Sequence, residues 1–238
     1  MKKTVLFFCC IFMPFLLHAS EKLKAGLFQI VPYAYMEEGK LTGITHDIIQ
    51  GLQNESNVTI ETQLLPYKRM LNYLELGKID FGIFFLSNYS ESFSEKLIAM
   101  YDLDTIVIGK KSLKISSFDD LLKLRMATPL GVNYNAKLNN KKQLKITRVK
   151  DYKNAILMLD SNHIDALIGP RKIVEYQLKL LDMDIKNLGE PYILTTNTAW
   201  IQFSDQSKKS QYKDILIKAA KKLLESGRVD EITSMYYE

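Results

Sequence analysis

Apolar and polar positions along the chain switch between helix-like and strand-like spacing. The clearest example spans residues 69–84, where apolar side chains recur every three to four positions up to Leu74 and a short apolar run begins at Ile79. Gly77 lies between them, and glycine readily takes the left-handed conformation that ends many helices. This stretch therefore predicts an amphipathic helix, a stop and a buried strand.

The same pattern returns at residues 154–169. Asn162 stands in the place of Gly77, and asparagine is the next-best residue for a left-handed backbone. Asp165 repeats Asp80, and an isoleucine precedes each of them. We interpret the repeat as a sign of two α/β lobes of related build. At this point the alternative stays open that any two helix–strand units resemble each other.

The remaining segments extend this alternation over the whole chain. Further strands are predicted at 58–64, 105–108, 126–129, 144–149 and 197–203, and helices at 46–54, 118–124, 171–181 and 210–226. Strands that alternate with helices predict an α/β protein with mainly parallel sheets. The length of 238 residues fits one large domain or two lobes of about 100 residues each.

The amino terminus has the layout of a secretory signal peptide. A basic start is followed by an apolar run to Leu17 and by the small residues Ala19 and Ser20. Cleavage after either of these two residues fits the pattern. The run is shorter than the roughly 20 residues that a membrane span needs. We expect export of the mature chain, with a retained amino-terminal anchor as the alternative.

Cysteine content and charge exclude several classes of site. Cys9 and Cys10 both lie in the predicted signal, so we expect no disulfide, thiol nucleophile or thiolate metal site in the mature protein. Lipid attachment at Cys9 is rejected because bulky phenylalanines precede it. Removal of the two signal lysines lowers the formal charge from +5 to +3. Because no compact block of Lys and Arg stands out, we expect no nucleic-acid partner.

The sequence contains little that points to catalysis. It has no Gly-rich phosphate loop, nucleophile elbow or His-x-x-x-His helix. His46 and His163 are far apart, and each lies near an aspartate in what reads as a surface turn. Asp80 and Asp165 fit twin structural roles at helix–strand corners better than paired acid/base work. We therefore predict a protein that is not an enzyme and that has no cofactor or metal.

Candidate binding residues follow from the predicted strand ends. Ligands of open α/β sheets bind beyond the carboxyl ends of the strands. This rule selects Phe84–Asn88, Gly131–Asn135 and the pair Pro170-Arg171. If two lobes face one another, these ends converge on a cleft between them.

Taken in order, the motifs resemble those of the type 3 periplasmic solute-binding proteins, the polar-amino-acid receptors of ABC transporters. The resemblance extends from Leu23 to about Tyr237. Its marks are Pro32-Tyr33, Gly39–Gly43 with Asp47, Leu76–Asp80, Asn162–Asp165, Gly189–Pro191 and Leu224–Ile232. Pro66–Arg69 is similar to the Pro-aromatic-x-Arg motif of a divergent branch of this family.

The resemblance implies a two-lobe periplasmic-binding-protein-like fold of type II, with two crossover segments near Asp104 and Thr196 as the hinge. The chain would divide into a signal peptide at 1–20, a discontinuous lobe 1 at 21–104 and 197–238, and lobe 2 at 105–196. A small polar solute, an amino acid or related compound, would bind between the lobes of a periplasmic monomer. Hinge closure would present the closed form to a membrane permease of an ABC transporter.

Two departures from the family pattern concern ligand charge. Family receptors hold the ligand carboxylate with an Arg in the loop after the first Ile-Asp strand, but residues 89–92 here read Tyr-Ser-Glu-Ser. They hold the amino group with an Asp after the second such strand, where Pro170 stands here. Each lost interaction is worth roughly 1.5–3 kcal/mol. Our hypothesis is that Arg69 and Arg171 supply replacement positive charge for an anionic group.

Some candidates have two interpretations. Tyr67 either stacks on a solute or packs as the first residue of its helix. Of Phe84 and Phe85, one faces the core and the other the cleft, and the pattern does not say which. The candidate ligand-binding residues are Tyr67, Arg69, Phe84, Phe85, Ser87, Asn88, Asn133, Tyr134 and Arg171. Alternative functions are a ligand-sensing receptor for a membrane signalling partner and a dehydratase-like enzyme on the same scaffold.

Overall fold

The computed structural model describes residues 22–87, 89–130 and 143–236. The strands are β1 (Leu23–Phe28), β2 (Tyr35–Glu37), β3 (Lys40–Thr42), β4 (Ile60–Leu65), β5 (Phe81–Phe85), β6 (Ser94–Gly109), β7 (Arg125–Pro129), β8 (Lys145–Val149), β9 (Ala166–Pro170) and β10 (Tyr192–Ser204). The α-helices are α1 (Ile44–Ser56), α2 (Tyr67–Glu75), α3 (Tyr152–Asp160), α4 (Arg171–Leu180), α5 (Lys213–Glu225) and α6 (Arg228–Met235). In these ranges no helix is both long and apolar enough to cross a membrane.

The main sheet has eight strands in the order β4-β1-β5-β10-β6-β9-β7-β8. Three parallel strands form each flank: β1 pairs with β4 and β5, and β7 pairs with β8 and β9. The two central strands, β6 and β10, are antiparallel to each other and to their outer neighbours. The predicted α/β class with mainly parallel sheets is therefore confirmed.

Each flank of the sheet carries its own apolar cores, and we call the two halves the first and second lobes. In the first lobe, α1, α5 and α6 pack on one face of β1, β4 and β5, and α2 packs on the other face. In the second lobe, α3 and α4 cover one face of β7 and β9. The predicted boundaries at 104/105 and 196/197 stay a prediction.

The strands β6 and β10 connect the lobes and are longer than the sequence predicts. Their pairing begins at Ser94 opposite Ser204 in the first lobe and continues to Val107 opposite Tyr192 in the second. The apolar pattern indicates only the part of each strand that is buried in one lobe. Polar residues such as Asp102 interrupt the apolar pattern between the lobes, where a cross-strand threonine, Thr198, donates a hydrogen bond of 2.6 Å to its carboxylate.

The repeated helix–stop–strand unit occurs once in each lobe, as the sequence indicates. Gly77 and Asn162 both have left-handed backbones, with φ of 64° and 60°. Asp80 accepts a hydrogen bond from the backbone N–H of Lys24 at 2.7 Å, and Asp165 accepts one from that of Arg125 at 2.8 Å. Each aspartate thus ties its strand to the neighbouring parallel strand, which is the structural role that the sequence favours.

Several element boundaries differ from the predictions. Helix α1 begins at Ile44 after Gly43, two residues earlier than predicted, and the backbone N–H of Thr45 in its first turn bonds to the carbonyl of Tyr33 at 2.8 Å. The predicted helix at 118–124 is a 3-10 helix, Phe118–Lys123. Strand β4 begins two residues later than predicted.

Candidate functional site

The register of the central strands places the carboxyl ends of the parallel strands in one lobe opposite those in the other lobe. Strand β5 ends at Phe85, which lies opposite Ala199, and Ala199 in turn pairs with Tyr101 on β6. Strand β9 ends at Pro170, opposite Thr105 further along β6. Strands β5 and β9 run in opposite directions, so their ends point towards one another. The four-residue step along β6 between these levels corresponds to about 13 Å.

We call the space between the facing ends of β5 and β9 the gap. Tyr67 and Phe28 form an aromatic pair on the first lobe's side of this gap. Phe28 ends β1 and Tyr67 begins α2, and their rings meet edge to face with centroids 5.4 Å apart. Tyr67 is 42% exposed, and its partial burial raises the pKa of its hydroxyl. The two interpretations of Tyr67 are thus compatible, because the residue packs on Phe28 and is still 42% exposed. Phe28 was not predicted as a site residue, although its place at a strand end was a usable signal.

The structure distinguishes the two phenylalanines of β5. Phe84 is 2% exposed and packs with Met70, Leu74 and other residues of the core under α2. Phe85 is half-buried on the opposite face, beside the core under α1. Phe84 is therefore a core residue and no longer a candidate for solute contact, whereas Phe85 remains one.

Ser87 lies exposed beyond β5 in a turn that its own side chain stabilises. The N–H of Ser90 donates to the Ser87 hydroxyl at 3.1 Å, and the N–H of Ser87 donates to the Ser90 hydroxyl at 3.1 Å. Tyr89 fastens the same loop to the end of α2 by donating to Glu75 at 2.9 Å. Turn formation thus accounts for Ser87, and its contact with a solute stays a prediction. Asn88 lies outside the described residues.

Among the described residues, neither candidate arginine has a contact that directs it into the gap. Arg69 is exposed and lies about 200° around α2 from Tyr67, on the side away from the core. Within the described part of the chain it makes no ion pair. Arg171 instead bonds along its own helix to Glu175, with Nε and Oε1 2.8 Å apart. The replacement-charge hypothesis therefore requires Arg171 to exchange this partner for a ligand.

Leu130 is the residue that the structure adds on the second lobe's side. It directly follows β7, it is 67% exposed, and its N–H donates to the carbonyl of Val149 at 2.9 Å. Asn133 and Tyr134 lie outside the described residues. Pro170 is buried at the start of α4 and offers no polar side-chain atom. The described edges of the gap are therefore rich in aromatic and aliphatic groups.

Comparison with known proteins gives two curated relatives along nearly the whole chain. The probable amino-acid-binding protein YxeM of Bacillus subtilis is 23% identical over 88% of this chain and 81% of its own length. The putative amino-acid ABC transporter-binding protein PatH of Vibrio harveyi is 22% identical over 92% of this chain and 90% of its own. No protein-family model matches the chain.

Solved structures with the same fold include an ancestral cationic amino acid solute binding protein, with a TM-score of 0.73, 18% identity and coverage of 91% of this chain and 96% of the other. The resemblance to the type 3 solute-binding proteins is confirmed. A histidine kinase sensor domain similar to periplasmic binding proteins superimposes with a TM-score of 0.70, 14% identity and coverage of 90% and 95%. An ancestral amino acid-binding protein described as a precursor of cyclohexadienyl dehydratase superimposes with a TM-score of 0.67 and 18% identity. The match covers 91% of this chain and 95% of the other.

In this solute-binding-protein fold, each described histidine contacts a residue close to it in sequence. On α1, Nδ1 of His46 is 3.0 Å from Oδ1 of Asp47. His163 precedes β9 at the end opposite Pro170, with its Nδ1 2.6 Å from the Ser161 hydroxyl. Among the residues that the structure describes, no group of His, Cys, Asp and Glu side chains is arranged to hold a metal ion.

Proposed function

We propose that the chain is a secreted periplasmic solute-binding protein that captures a small polar molecule, an amino acid or a related compound, and delivers it to the permease of an ABC transporter. The observation that carries this proposal is the opposition of the strand ends of two lobes across the central strands β6 and β10. The names of both curated relatives support a solute of the amino-acid class.

The mechanism follows from the way in which the lobes are connected. Within the described residues, the chain passes between them along β6 and β10, where Asp104 pairs with Thr196 and Asp102 with Thr198. Rotation of the lobes about this two-stranded connection would open and close the gap while each apolar core stays intact. A solute that contacts both lobes stabilises the closed form, which is the form that a permease would recognise.

We expect the solute to contact exposed and half-buried groups at the facing ends of the two lobes. In the first lobe these are Tyr67, Phe85 and Ser87, and in the second lobe Leu130 and Arg171. Tyr67 offers an open aromatic ring, which suits a flat or apolar part of the solute. Arg171 would bind an anionic group only after leaving Glu175.

A thermal-shift screen of the mature protein tests the proposal. Amino acids, organic acids, amines and small peptides are each added to the chain that begins at residue 21. A ligand at 100 times its dissociation constant adds about 2.7 kcal/mol of stability, which raises Tm by about 5–10 °C for a chain of this size. If none of these solute classes shifts Tm or binds in calorimetry, the proposal is wrong.

A second candidate function is a ligand-sensing receptor for a membrane signalling partner. The fold shared with a histidine kinase sensor domain supports it. Transport of the identified solute by vesicles that hold a cognate permease, dependent on this protein, favours delivery. Binding of the solute-loaded protein to a sensor kinase without transport favours signalling. An enzyme on this scaffold is a third candidate. It would be favoured if the solute, after incubation with the protein, were recovered as a chemically different compound.

A further inference from the structure

Three buried polar side chains meet where β10, β6 and the segment after β5 come together. Gln202 on β10 and Ser90 in that segment are fully buried, and Ser94 at the start of β6 is 5% exposed. A polar group that is removed from water costs free energy unless hydrogen bonds satisfy it. The hydrogen bonds of these three residues form one connected series, which we call the polar network. The segment between β5 and β6 is the β5 loop.

The buried end of the polar network is Gln202, which contacts both neighbouring strands. Its side-chain Nε2 donates to the carbonyl of Phe84, near the end of β5, at 2.9 Å. Its Oε1 lies 3.2 Å from the hydroxyl of Ser94 on β6. Since β5 and β6 are the two strands beside β10 in the sheet, one side chain joins all three strands at the base of the β5 loop.

Ser94 continues the polar network from the strands into the loop. Its hydroxyl donates to the carbonyl of Ser90 at 2.7 Å, and the backbone N–H of Phe93 donates to the same carbonyl at 3.2 Å. A hydroxyl has a single proton, so the Ser90 carbonyl, at the shorter distance, and Oε1 of Gln202 compete for it. Loss of this hydroxyl would therefore leave the Ser90 carbonyl with one donor fewer.

Ser90 carries the polar network to Ser87, the candidate for solute contact. The Ser90 hydroxyl donates to the carbonyl of Ser87 at 3.1 Å and accepts from its N–H at 3.1 Å. The N–H of Ser90 donates to the Ser87 hydroxyl at 3.1 Å. The N–H of Glu91 also donates to the carbonyl of Ser87, at 3.0 Å. The N–H, the carbonyl and the hydroxyl of Ser87 are thus all held, although the residue is exposed.

The buried part of the polar network adds something that the local turn does not provide. The bonds between Ser87 and Ser90 join residues three positions apart and define the shape of the turn. Ser94 and Gln202 are 108 positions apart, and their contact ties the loop to a central strand of the sheet. The polar network therefore fixes where the turn lies as well as its shape.

We propose that Gln202, Ser94 and Ser90 are positioning residues that hold Ser87 in one arrangement at the gap before a solute arrives. The arrangement is a property of the fold, and its use rests on the proposed function, in which Ser87 contacts the solute. Binding to a loop that is already ordered avoids the entropy cost of ordering it. When only a fraction of the molecules has the loop ordered, the apparent dissociation constant rises in inverse proportion to that fraction.

Hydrogen exchange in the solute-free protein, followed by NMR, tests whether the polar network orders the loop. The reporters are the N–H groups of Glu91 and Phe93, because their acceptors are backbone carbonyls that no side-chain substitution removes. Ser90→Ala and Ser94→Ala each remove a buried hydroxyl that holds the loop. Both are expected to speed exchange at the two reporters about ten-fold and to leave the N–H of Asn162 in the second lobe unchanged.

Two further variants serve as matched controls for the exchange measurement. Ser92→Ala removes a hydroxyl that donates to the carbonyl of Tyr89 at 2.7 Å in the same loop, but Ser92 is exposed and lies outside the polar network. Ser94→Thr keeps the hydroxyl at position 94. Both controls are expected to exchange as the wild type does. Unchanged exchange in Ser90→Ala and Ser94→Ala, or an equal increase in Ser92→Ala, would overturn the positioning role. If one of the two network variants fails to fold by circular dichroism, the other decides.

Calorimetric titration of the folded variants tests whether the ordered loop matters for binding. L-Glutamine, L-glutamate and L-arginine are used as a neutral, an anionic and a cationic amino acid. For each one that binds the wild type, Ser90→Ala and Ser94→Ala are expected to raise the dissociation constant about ten-fold, and Ser92→Ala to leave it unchanged. A merely structural role would lower Tm without changing the dissociation constant of the folded protein, and that result would overturn the proposal.

The two measurements separate the positioning role from the proposed function. Faster exchange in the network variants of a protein that binds no solute, in the titrations or in the thermal-shift screen, overturns the proposed function and supports the hold of the polar network on Ser87. Binding by the wild type together with unchanged exchange in both network variants overturns the positioning role and leaves the proposed function standing.

Discussion

Replacement of Asp80 by alanine is expected to be among the most destabilising single changes outside the gap. Asp80 is 4% exposed and anchors three partners. Its carboxylate accepts from the N–H of Lys24 at 2.7 Å, from the Ser207 hydroxyl at 2.6 Å and from Nζ of Lys209 at 3.0 Å. It therefore joins β1, β5 and the segment after β10 at one buried corner.

The magnitude follows from what the substitution leaves behind. Asp80→Ala leaves the backbone N–H of Lys24 without its hydrogen-bond acceptor. It also removes the carboxylate that pairs with Lys209, whose side chain is only 20% exposed. Breaking a buried ion pair on one side typically costs about 3–5 kcal/mol, because the remaining partners stay desolvated. The equivalent pair in the second lobe, Asp165 and Arg125, is largely exposed, so Asp165→Ala is expected to cost less than half as much.

Urea unfolding followed by the fluorescence of Trp200 measures both variants, since this lone tryptophan lies on β10 opposite Phe84. The free energy of unfolding is extrapolated to water for the wild type, Asp80→Ala and Asp165→Ala. A loss below about 1.5 kcal/mol for Asp80→Ala, or equal losses for the two aspartates, would refute the reasoning that burial sets the difference.

Three further predictions concern backbone strain, pH and the gap. Gly77→Ala is expected to lower the free energy of unfolding in urea by over about 1 kcal/mol, and by more than Gly39→Ala does. Both glycines have a positive φ, but a Cβ at Gly77 would approach a backbone oxygen to 2.8 Å, whereas a Cβ at Gly39 would have no neighbour within 4 Å. The Arg125 guanidinium lowers the pKa of Asp165. The difference in free energy of unfolding between wild type and Asp165→Asn should therefore be fully present above about pH 4 and should vanish as the pH falls below it. Equal differences at pH 3 and pH 7 would contradict this. Tyr67→Ala should weaken binding of a solute found in the screen at least about ten-fold by calorimetry, and Tyr89→Ala should not.

Local sequence signals predict those parts of the fold that depend on neighbouring residues. The pattern from Leu74 through Gly77 to Asp80 contains a helix end and a strand start within a few positions, and its repeat around Asn162 indicated a second lobe. The partners Ser207 and Lys209 of Asp80 could not be foreseen, because they lie more than 120 positions away along the chain.

At the facing ends of the lobes, the sequence predicted the right segments of the chain but not which individual residues face the gap. The strand-end rule selected the segment after β5, but period-two alternation alone cannot say which of Phe84 and Phe85 faces the core. That depends on the packing of α2, which buries Phe84. The burial of Ile173 in the first lobe's apolar cluster had no sequence signal, because Ile173 continues an ordinary apolar helix face.

The strand order carries a consequence for how the polypeptide reaches its native state. Strand β10 is the last to be synthesised, yet it lies between β5 and β6 in the middle of the sheet. Until residues 192–204 arrive, those two strands each lack a central partner, and α5 and α6 are not there to cover the first lobe. A chain cut before Tyr192 should therefore leave the first lobe unfolded, and that part of the nascent protein should stay protease-sensitive until the final 47 residues emerge.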